Sequence, residues 1–272
     1  MRILVTNDDG IHSEGLRTLA RELSNVARVI VVAPDREQSG IGTAVTLHQP
    51  LRIQKVRPLV PEVETYSVDG TPSDSVILAL CKLVGDKVDM VVSGINRGLN
   101  LGENVLISGT VSAAMQAYLR GFPALAISVT YENSHQHLDT AARIAALLAP
   151  KIVADPSLSD IFLNVNLPDV PLSTIRGVKI TRLASESHMD TAVEEDDDQQ
   201  QYYLLVRQRT SKATGNETDI WAIEQGNISI TPLYTRPFDK TTLPALRNLS
   251  AGLIKELAKR PPEPDNAEPG RI

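Results

Sequence analysis

Two adjacent carboxylates follow the first strand-like run of the chain. Residues 2–6 form a short run rich in apolar and β-branched residues, and they lead directly into Asn7, Asp8, Asp9 and Gly10. Neighbouring carboxylates at a strand end repel each other and are costly to bury, whereas a divalent cation prefers oxygen ligands and removes that cost. The same residue types also favour ordinary turns. The pair is therefore a candidate cation site if further ligands meet it.

Further candidate ligands follow later strand-like runs. Ser39 and Gly40 come after the run at 28–33, and Asn96 comes after the run at 88–93. A hydroxyl supplies oxygen, an amide supplies both an oxygen ligand and an N–H donor, and a glycine lets the backbone come close to a ligand. A plain surface connection would use the same residue types. Their position after successive strands is what makes them candidates.

A candidate anion site comes next along the chain. Ser108, Gly109 and Thr110 open a helical pattern at 110–120. The free N–H groups of a helix N-terminus and the positive end of its dipole attract phosphate, although Ser and Thr also serve as plain helix caps. Acidic oxygens, a hydroxyl, an amide and a helix N-terminus together predict a site that holds a cation beside a phosphate group.

The elements that would position these residues alternate between strand and helix. Core strands are predicted at 2–6, 28–33, 88–93 and 124–129, and helices at 13–25, 73–84 and 110–120. This alternation predicts a Rossmann-like, three-layer α/β/α fold with a mainly parallel sheet. Because ligands bind beyond the carboxyl ends of parallel strands, the candidate residues are expected to meet at that edge.

The remaining patterns are weaker and complete the predicted domain. Up to residue 170 they are three short strands, one helix and one further strand, at 43–47, 51–56, 65–68, 139–153 and 161–166. Beyond that point, strands at 177–182 and 202–207 bracket an acidic stretch at 194–201, which predicts a long hairpin arm.

A late strand at 227–231 and a late helix at 243–258 follow, and the Pro- and acid-rich end of the chain predicts disorder. We expect a single domain over 1–260, with its core in about 1–180 and the arm and C-terminal helix in about 180–260, and a disordered tail at 261–272. The arm and the helix have little local core of their own, so we expect them to pack on another subunit.

The composition argues against several classes of protein. The net charge is −6, from 27 basic and 33 acidic residues, which argues against binding a nucleic-acid polymer because such binding needs a cationic surface. Cys81 is the single cysteine, so no internal disulfide is expected. No signal-peptide pattern follows Met1, and no apolar stretch is long enough to cross a bilayer. We expect a cytoplasmic protein that does not bind membranes.

The motifs and their order resemble the SurE family of survival-protein nucleotidases. The resemblance covers most of residues 1–130 and continues in two later segments. The motifs are Asn7-Asp8-Asp9-Gly10, Ala33-Pro34 with Ser39-Gly40, Ser93-Gly94-Ile95-Asn96 with Gly98, Asn100 and Gly102, Ser108-Gly109-Thr110-Val111, Asn164-Val165-Asn166 with Pro168, and Ser229-Ile230-Thr231-Pro232-Leu233.

The resemblance implies a metal-dependent phosphomonoesterase that hydrolyses nucleoside 5′- and 3′-monophosphates and forms a homodimer or homotetramer. It implies one divalent cation per subunit, Mg²⁺ or Mn²⁺. The implied cation ligands are Asp8, Asp9, Ser39 and Asn96. The implied catalytic residues are Asp8, Asp9 and Asn96. The implied phosphate-binding residues are Ser39, Gly40, Asn96, Ser108, Gly109 and Thr110.

Some residues depart from the family pattern. Asn104 and Ile107 stand where relatives usually carry Asp and Tyr, and Gln116-Ala117 replaces a common Glu-Gly pair. A catalytically weakened nucleotide-binding or scaffold protein is therefore the alternative. A haloacid-dehalogenase-type phosphatase would need Asp-x-Asp after the first strand, and a dinucleotide-binding oxidoreductase would need Gly-x-Gly-x-x-Gly there. No general acid is evident, since His12 also fits as a residue that simply precedes the first helix.

Overall fold

The computed structural model describes residues 1–84, 87–130, 137–185, 189–197, 200–208 and 215–234. Within the chain, Met1–Leu233 forms one compact unit. The predicted helix at 243–258 and the predicted tail at 261–272 lie outside the described residues. None of the helices in the described ranges has both the length and the apolar character needed to span a membrane.

A nine-stranded sheet forms the centre of this unit, and a separate hairpin adds two strands. The strands are β1 Arg2–Thr6, β2 Arg28–Pro34, β3 Ile53–Lys55, β4 Glu64–Val68, β5 Met90–Arg97, β6 Ala124–Val129, β7 Phe162–Leu167, β8 Val178–Ile180, β9 Met189–Asp197, β10 Gln200–Gln208 and β11 Ile228–Pro232. The sheet order is β3-β4-β2-β1-β5-β6-β7-β11-β8. The six strands from β4 to β7 run parallel, while β3 and β11 are antiparallel to their neighbours β4 and β7.

Helices cover both faces of the sheet. They are α1 Glu14–Leu23, α2 Pro72–Leu78, α3 Gly109–Tyr118, α4 Leu138–Ala154 and α5 Asp219–Glu224. Successive side chains of a strand point to opposite faces. Accordingly Ile3 and Val5 belong to a buried cluster with α1 and α4, while Leu4 belongs to a second cluster with α2 and α3. The predicted three-layer α/β fold with a mainly parallel sheet is confirmed.

The strand expected at 43–47 does not form. This segment is a loop whose backbone is held by the start of α2 instead of by a neighbouring strand. Thr71 Oγ1 donates to the Ala44 carbonyl (2.8 Å), and the backbone N–H and the hydroxyl of Thr46 both donate to the Asp74 carboxylate (3.0 and 2.7 Å). These bonds satisfy backbone groups that a strand would have paired, so the weak strand pattern there did not become a strand.

The hairpin arm is also composed differently from the prediction. The strand expected at 177–182 is shortened to β8 and pairs with β11 in the main sheet, in the register Ile228 to Val178. The hairpin pairs β9 with β10 instead. Because β9 runs to Asp197 and β10 begins at Gln200, the paired strands include most of the acidic stretch that was expected to lie between strands.

Candidate active site

Hydrogen bonds from the side chain of Asn7 hold the turn after β1, which carries Asp8 and Asp9. Asn7 Nδ2 donates to the Gly10 carbonyl (3.1 Å) and to Ser13 Oγ (2.8 Å), and Ser13 in turn caps α1. Gly10 has a φ of +91°, which side-chain-bearing residues rarely adopt. The turn therefore holds Asp8 and Asp9 between the end of β1 and the start of α1.

Asp8 lies against the N-terminus of α3. Asp8 is only 4% exposed, and its Oδ1 accepts a hydrogen bond from the Thr110 hydroxyl. A Cβ on Gly109 would lie 2.7 Å from the Cβ of Asp8, so the helix can come this close only because residue 109 is glycine. Burial raises the pKa of the Asp8 carboxyl, and the bond from Thr110 opposes that shift. Ser108 caps the helix by accepting a bond from the N–H of Val111 (3.1 Å).

Asp9 faces an open cleft of about 500 Å³. The other residues that line this cleft are His12, Ser13, Glu37, Ser39 and Arg97. Burial, followed by the charge of Asp8, raises the pKa of Asp9 to about 7, while the Arg97 charge opposes the shift. The Oδ2 atom of Asp9 is buried and has no hydrogen-bond partner in the part of the chain that the structure describes. A buried carboxylate oxygen without a donor is a position that a cation can fill.

The loop after β2 brings a hydroxyl to the same cleft. The backbone N–H of Gln38 donates to the carbonyl of Asp8 (2.8 Å), which ties the loop to the end of β1. Ser39 Oγ donates to Glu37 Oε1 (2.7 Å). Its oxygen lone pairs stay available to a cation. Gly40 has a φ of +70° and open space where a Cβ would lie, so its turn conformation accounts for the glycine, and its predicted contact with phosphate stays a prediction.

Asn96 lies near the end of β5, the strand next to β1. Its Nδ2 donates to the Gly98 carbonyl (2.7 Å), so Oδ1 is the atom through which it would bind a cation. Asn96 is half-buried and is not among the residues that line the cleft. Arg97, the next residue, does line it and forms an ion pair with Glu14 (2.9 Å). Sequence reasoning missed Arg97 and Glu37, although each is a charged residue within two positions of a predicted ligand.

The structure thus brings the predicted residues together in two groups. Asp8 is in contact with Gly109 and Thr110, and Asp9 shares a cleft with Ser39. Over the described ranges, no cluster of three or more His, Cys, Asp or Glu side chains suited to a metal is present. A cation here would depend on two carboxylates plus neutral oxygens, a donor set that suits hard cations such as Mg²⁺. The roles of all these residues stay predictions.

A second buried polar group holds the loop between β5 and α3. The backbone N–H of Asn100 donates to Asn166 Oδ1 (2.9 Å), and its carbonyl accepts from Asn164 Nδ2 (2.7 Å) and Asn166 Nδ2 (3.1 Å). The Asn100 side chain donates to Ser128 Oγ (2.8 Å). We call these four residues the amide cluster. It anchors the segment that joins Asn96 to the start of α3.

Two of the departures from the family pattern now have a structural context. Gln116 is buried two turns into α3, and its Oε1 accepts a bond from Arg120 (2.7 Å) toward the far end of the helix. Ile107 is exposed and immediately precedes the cap residue Ser108. The change at position 116 is therefore distant from the helix N-terminus, whereas the change at position 107 is next to it.

The fold and the cleft define a three-layer α/β protein with an acidic site at the carboxyl edge of its sheet. A family model described as "Survival protein SurE" matches residues 3–190. A relative named "5'-nucleotidase SurE" from Dehalococcoides mccartyi is 51% identical over 93% of this chain and 96% of its own length. One with the same name from Vibrio parahaemolyticus is 42% identical over 94% and 96%. The chain belongs to the SurE family.

A solved structure agrees with this assignment. The crystal structure of the SurE protein from Aquifex aeolicus matches with a TM-score of 0.79 and 32% sequence identity. The match covers 92% of this chain and all of that one. The similarity therefore extends over nearly the whole chain and is not confined to the motifs around the cleft.

Proposed function

We propose that this protein is a metal-dependent phosphomonoesterase that hydrolyses nucleoside 5′- and 3′-monophosphates. The observation that carries the proposal is the contact between the carboxylate of Asp8 and the start of α3, where Gly109 and Thr110 lie. A buried acid directly against a helix N-terminus puts a cation-binding oxygen beside an anion-binding backbone. The relatives named "5'-nucleotidase SurE" support the same conclusion.

The residues present fit a divalent cation, for which we propose Mg²⁺ or Mn²⁺. Asp8, Asp9, Ser39 and Asn96 would hold it, and the unpartnered Asp9 Oδ2 supports this assignment. A bound cation supplies positive charge that neutralises the phosphoryl oxygens and activates water. Two adjacent buried carboxylates are costly without such a charge, which agrees with the raised pKa of each.

The remaining groups would hold and orient the substrate. The backbone N–H groups of Ser108, Gly109 and Thr110 would bind the phosphate, because phosphoryl transfer depends mainly on positioning and on neutralising charge. Asp9 faces the cleft and would orient the attacking water, whereas Asp8 is almost fully buried and bonded to Thr110. That burial favours direct attack by water over a covalent phosphate on Asp8. His12 lines the cleft and is the candidate to protonate the leaving oxygen.

Phosphate release from adenosine 5′-monophosphate tests the proposal. The purified protein is assayed with Mg²⁺ or Mn²⁺, then with excess chelator, then after the metal is restored. We expect release that stops with the chelator and returns with the metal. Binding of the nucleotide without any release would instead indicate the alternative, a catalytically weakened binding or scaffold protein.

We also propose that the β9–β10 arm contributes to a homodimer or homotetramer. In the described residues the two strands pair only with each other, and an isolated two-stranded hairpin is marginally stable in water. Sedimentation of the full chain and of a variant that lacks 189–208 tests this. A wild-type protein with the mass of a monomer would contradict it.

A further inference from the structure

Three large apolar side chains are exposed next to the residues that would bind phosphate. Ile41 is 38% exposed, Leu106 is 72% exposed and Ile107 is 37% exposed. We call these three residues the apolar wall. Ile41 follows the cleft residue Ser39 by two positions, and Ile107 directly precedes Ser108, the cap of α3. Grouped exposed apolar residues of this kind are typical of a binding surface.

The two segments of the wall are held against each other. The backbone N–H of Gly42 donates to the Ile107 carbonyl (2.9 Å), and a Cβ on Gly42 would lie 3.4 Å from the Leu106 carbonyl oxygen. The loop is further fixed where Thr71 and Asp74 bind the backbone of Ala44 and Thr46. The exposure of the wall is therefore part of an anchored structure and not the result of a loosely attached loop.

The position of the wall relative to the phosphate site identifies its ligand. Because Ile107 directly precedes Ser108, a phosphate held by the N–H groups that open α3 would have its organic group close to the wall. The wall offers apolar area, whereas the cleft that includes Ser39 is lined mainly by polar and charged groups. We propose that the wall binds the face of the nucleobase of the substrate, which deepens and rests on the proposed function.

The chemistry of the wall also predicts the pattern of specificity. Aliphatic side chains contact a base through area and offer no hydrogen bond with which to distinguish its edges. Binding should therefore accept all bases and favour the purines, which bury more surface than pyrimidines. An aromatic side chain in the wall should strengthen the contact by stacking.

The test compares an ester that has a base with one that has none. For each protein, kcat/KM is measured for adenosine 5′-monophosphate and for glycerol 2-phosphate, and their ratio is taken. We expect Leu106→Ser and Ile41→Ser each to lower the ratio about tenfold, mainly through KM for the nucleotide, and Ile107→Tyr to raise it. Leu119→Ser is the matched control, because Leu119 is 55% exposed at the opposite end of α3. The control should leave the ratio unchanged.

Two further measurements separate the outcomes. Calorimetric titration with adenosine 5′-monophosphate reports binding without requiring turnover, so weaker binding by Leu106→Ser supports the wall even if the wild type releases no phosphate and the proposed function fails. Wild-type activity on both esters, with a ratio that no wall variant changes, would overturn the inference alone. Sedimentation that shows loss of an oligomer in the wall variants would assign this surface to a subunit contact and would also overturn it.

Discussion

Asn100 in the amide cluster and Asp9 at the end of β1 both lie near the carboxyl edge of the sheet. They differ in whether their buried polar atoms have hydrogen-bond partners. In the amide cluster, Asn100 has partners for its backbone N–H, its carbonyl and its side-chain N–H. At the end of β1, Asp9 Oδ2 and Asn7 Oδ1 are buried without a partner among the described residues. Asn164 Oδ1, within the amide cluster, also lacks a partner among the described residues. Since buried polar atoms are nearly always paired, a missing partner points to a ligand only where the residue borders the cleft, as Asp9 does, whereas the bonds of Asn100 hold the fold.

Asp219 shows that backbone groups can supply hydrogen bonds to both oxygens of a buried carboxylate. Its two oxygens accept bonds from the backbone N–H groups of Gly102 (2.7 Å), Ala184 (2.9 Å) and Ile220 (2.9 Å). Burial still raises the pKa of Asp219, but these bonds oppose the shift. For Asp9 the neighbouring charge of Asp8 adds to the effect of burial. The structural acid Asp219 and the candidate ligand Asp9 thus differ in their donors, and Asp9 is also half-buried at an open cleft whereas Asp219 is fully buried.

The largest expected effect is on catalysis at the end of β1. Asp8→Asn keeps an oxygen that can accept the Thr110 bond, so the protein should fold, but it removes a charge that the cation requires. We expect phosphate release to fall at least about 100-fold, measured as kcat with saturating Mn²⁺. Asp160→Asn, at an exposed position, is the control. Turnover within a few-fold of wild type would remove Asp8 from the proposed mechanism.

The next largest effect is a loss of stability when the amide cluster is disrupted. Asn166→Ala removes the acceptor for the Asn100 N–H and one donor to its carbonyl while both stay buried. We expect the free energy of unfolding to drop by about 2–3 kcal/mol, measured by urea denaturation. Asn25→Ala, on an exposed helix end, should cost far less. Equal losses in the two variants would show that the cluster does not anchor the loop.

The third prediction concerns stability at Asp9. Replacing Asp9 should stabilise the metal-free protein but remove the stabilisation that a bound metal gives. Asp9→Asn removes a buried charge next to Asp8, so the metal-free protein should gain about 1–2 kcal/mol of stability above pH 7. Below pH 7 the folded wild type binds a proton at Asp9, and the gain should shrink toward pH 4. The rise in Tm that Mn²⁺ gives the wild type should be lost. A metal-induced rise that persists in the variant would contradict the assignment of Asp9 as a ligand.

The smallest effect concerns the neutral hydroxyl. Ser39→Ala removes one oxygen ligand without changing charge, so the Mn²⁺ concentration for half-maximal activity should rise by up to about tenfold. Ser39→Thr keeps the hydroxyl and is the matched variant, and it should stay close to wild type. If both variants behave alike, Ser39 binds Glu37 in the protein and does not bind the cation.

Local sequence patterns predicted most of the strands and helices. They failed where the backbone hydrogen-bond partners of a segment lie far away in the sequence. The apolar runs that became β1, β2, β6 and β7 were placed within about one residue, because short apolar, β-branched runs and the turns that bound them are local features. The segment at 43–47 has the same kind of pattern and is a loop. Its backbone partners are Thr71 and Asp74, and no rule of periodicity connects it to them.

The same division applies to the candidate site. That acids, a hydroxyl and an amide follow successive strands was evident from the order of residues, and so was the edge at which they would meet. The contact between Thr110 and Asp8, 102 residues apart, depends on the packing of α3 against β5 and β6, the strands that follow β1 in the sheet. Which buried oxygens stay unpaired is likewise decided only in the folded protein, because burial and hydrogen bonding depend on every neighbour that the chain brings to each atom.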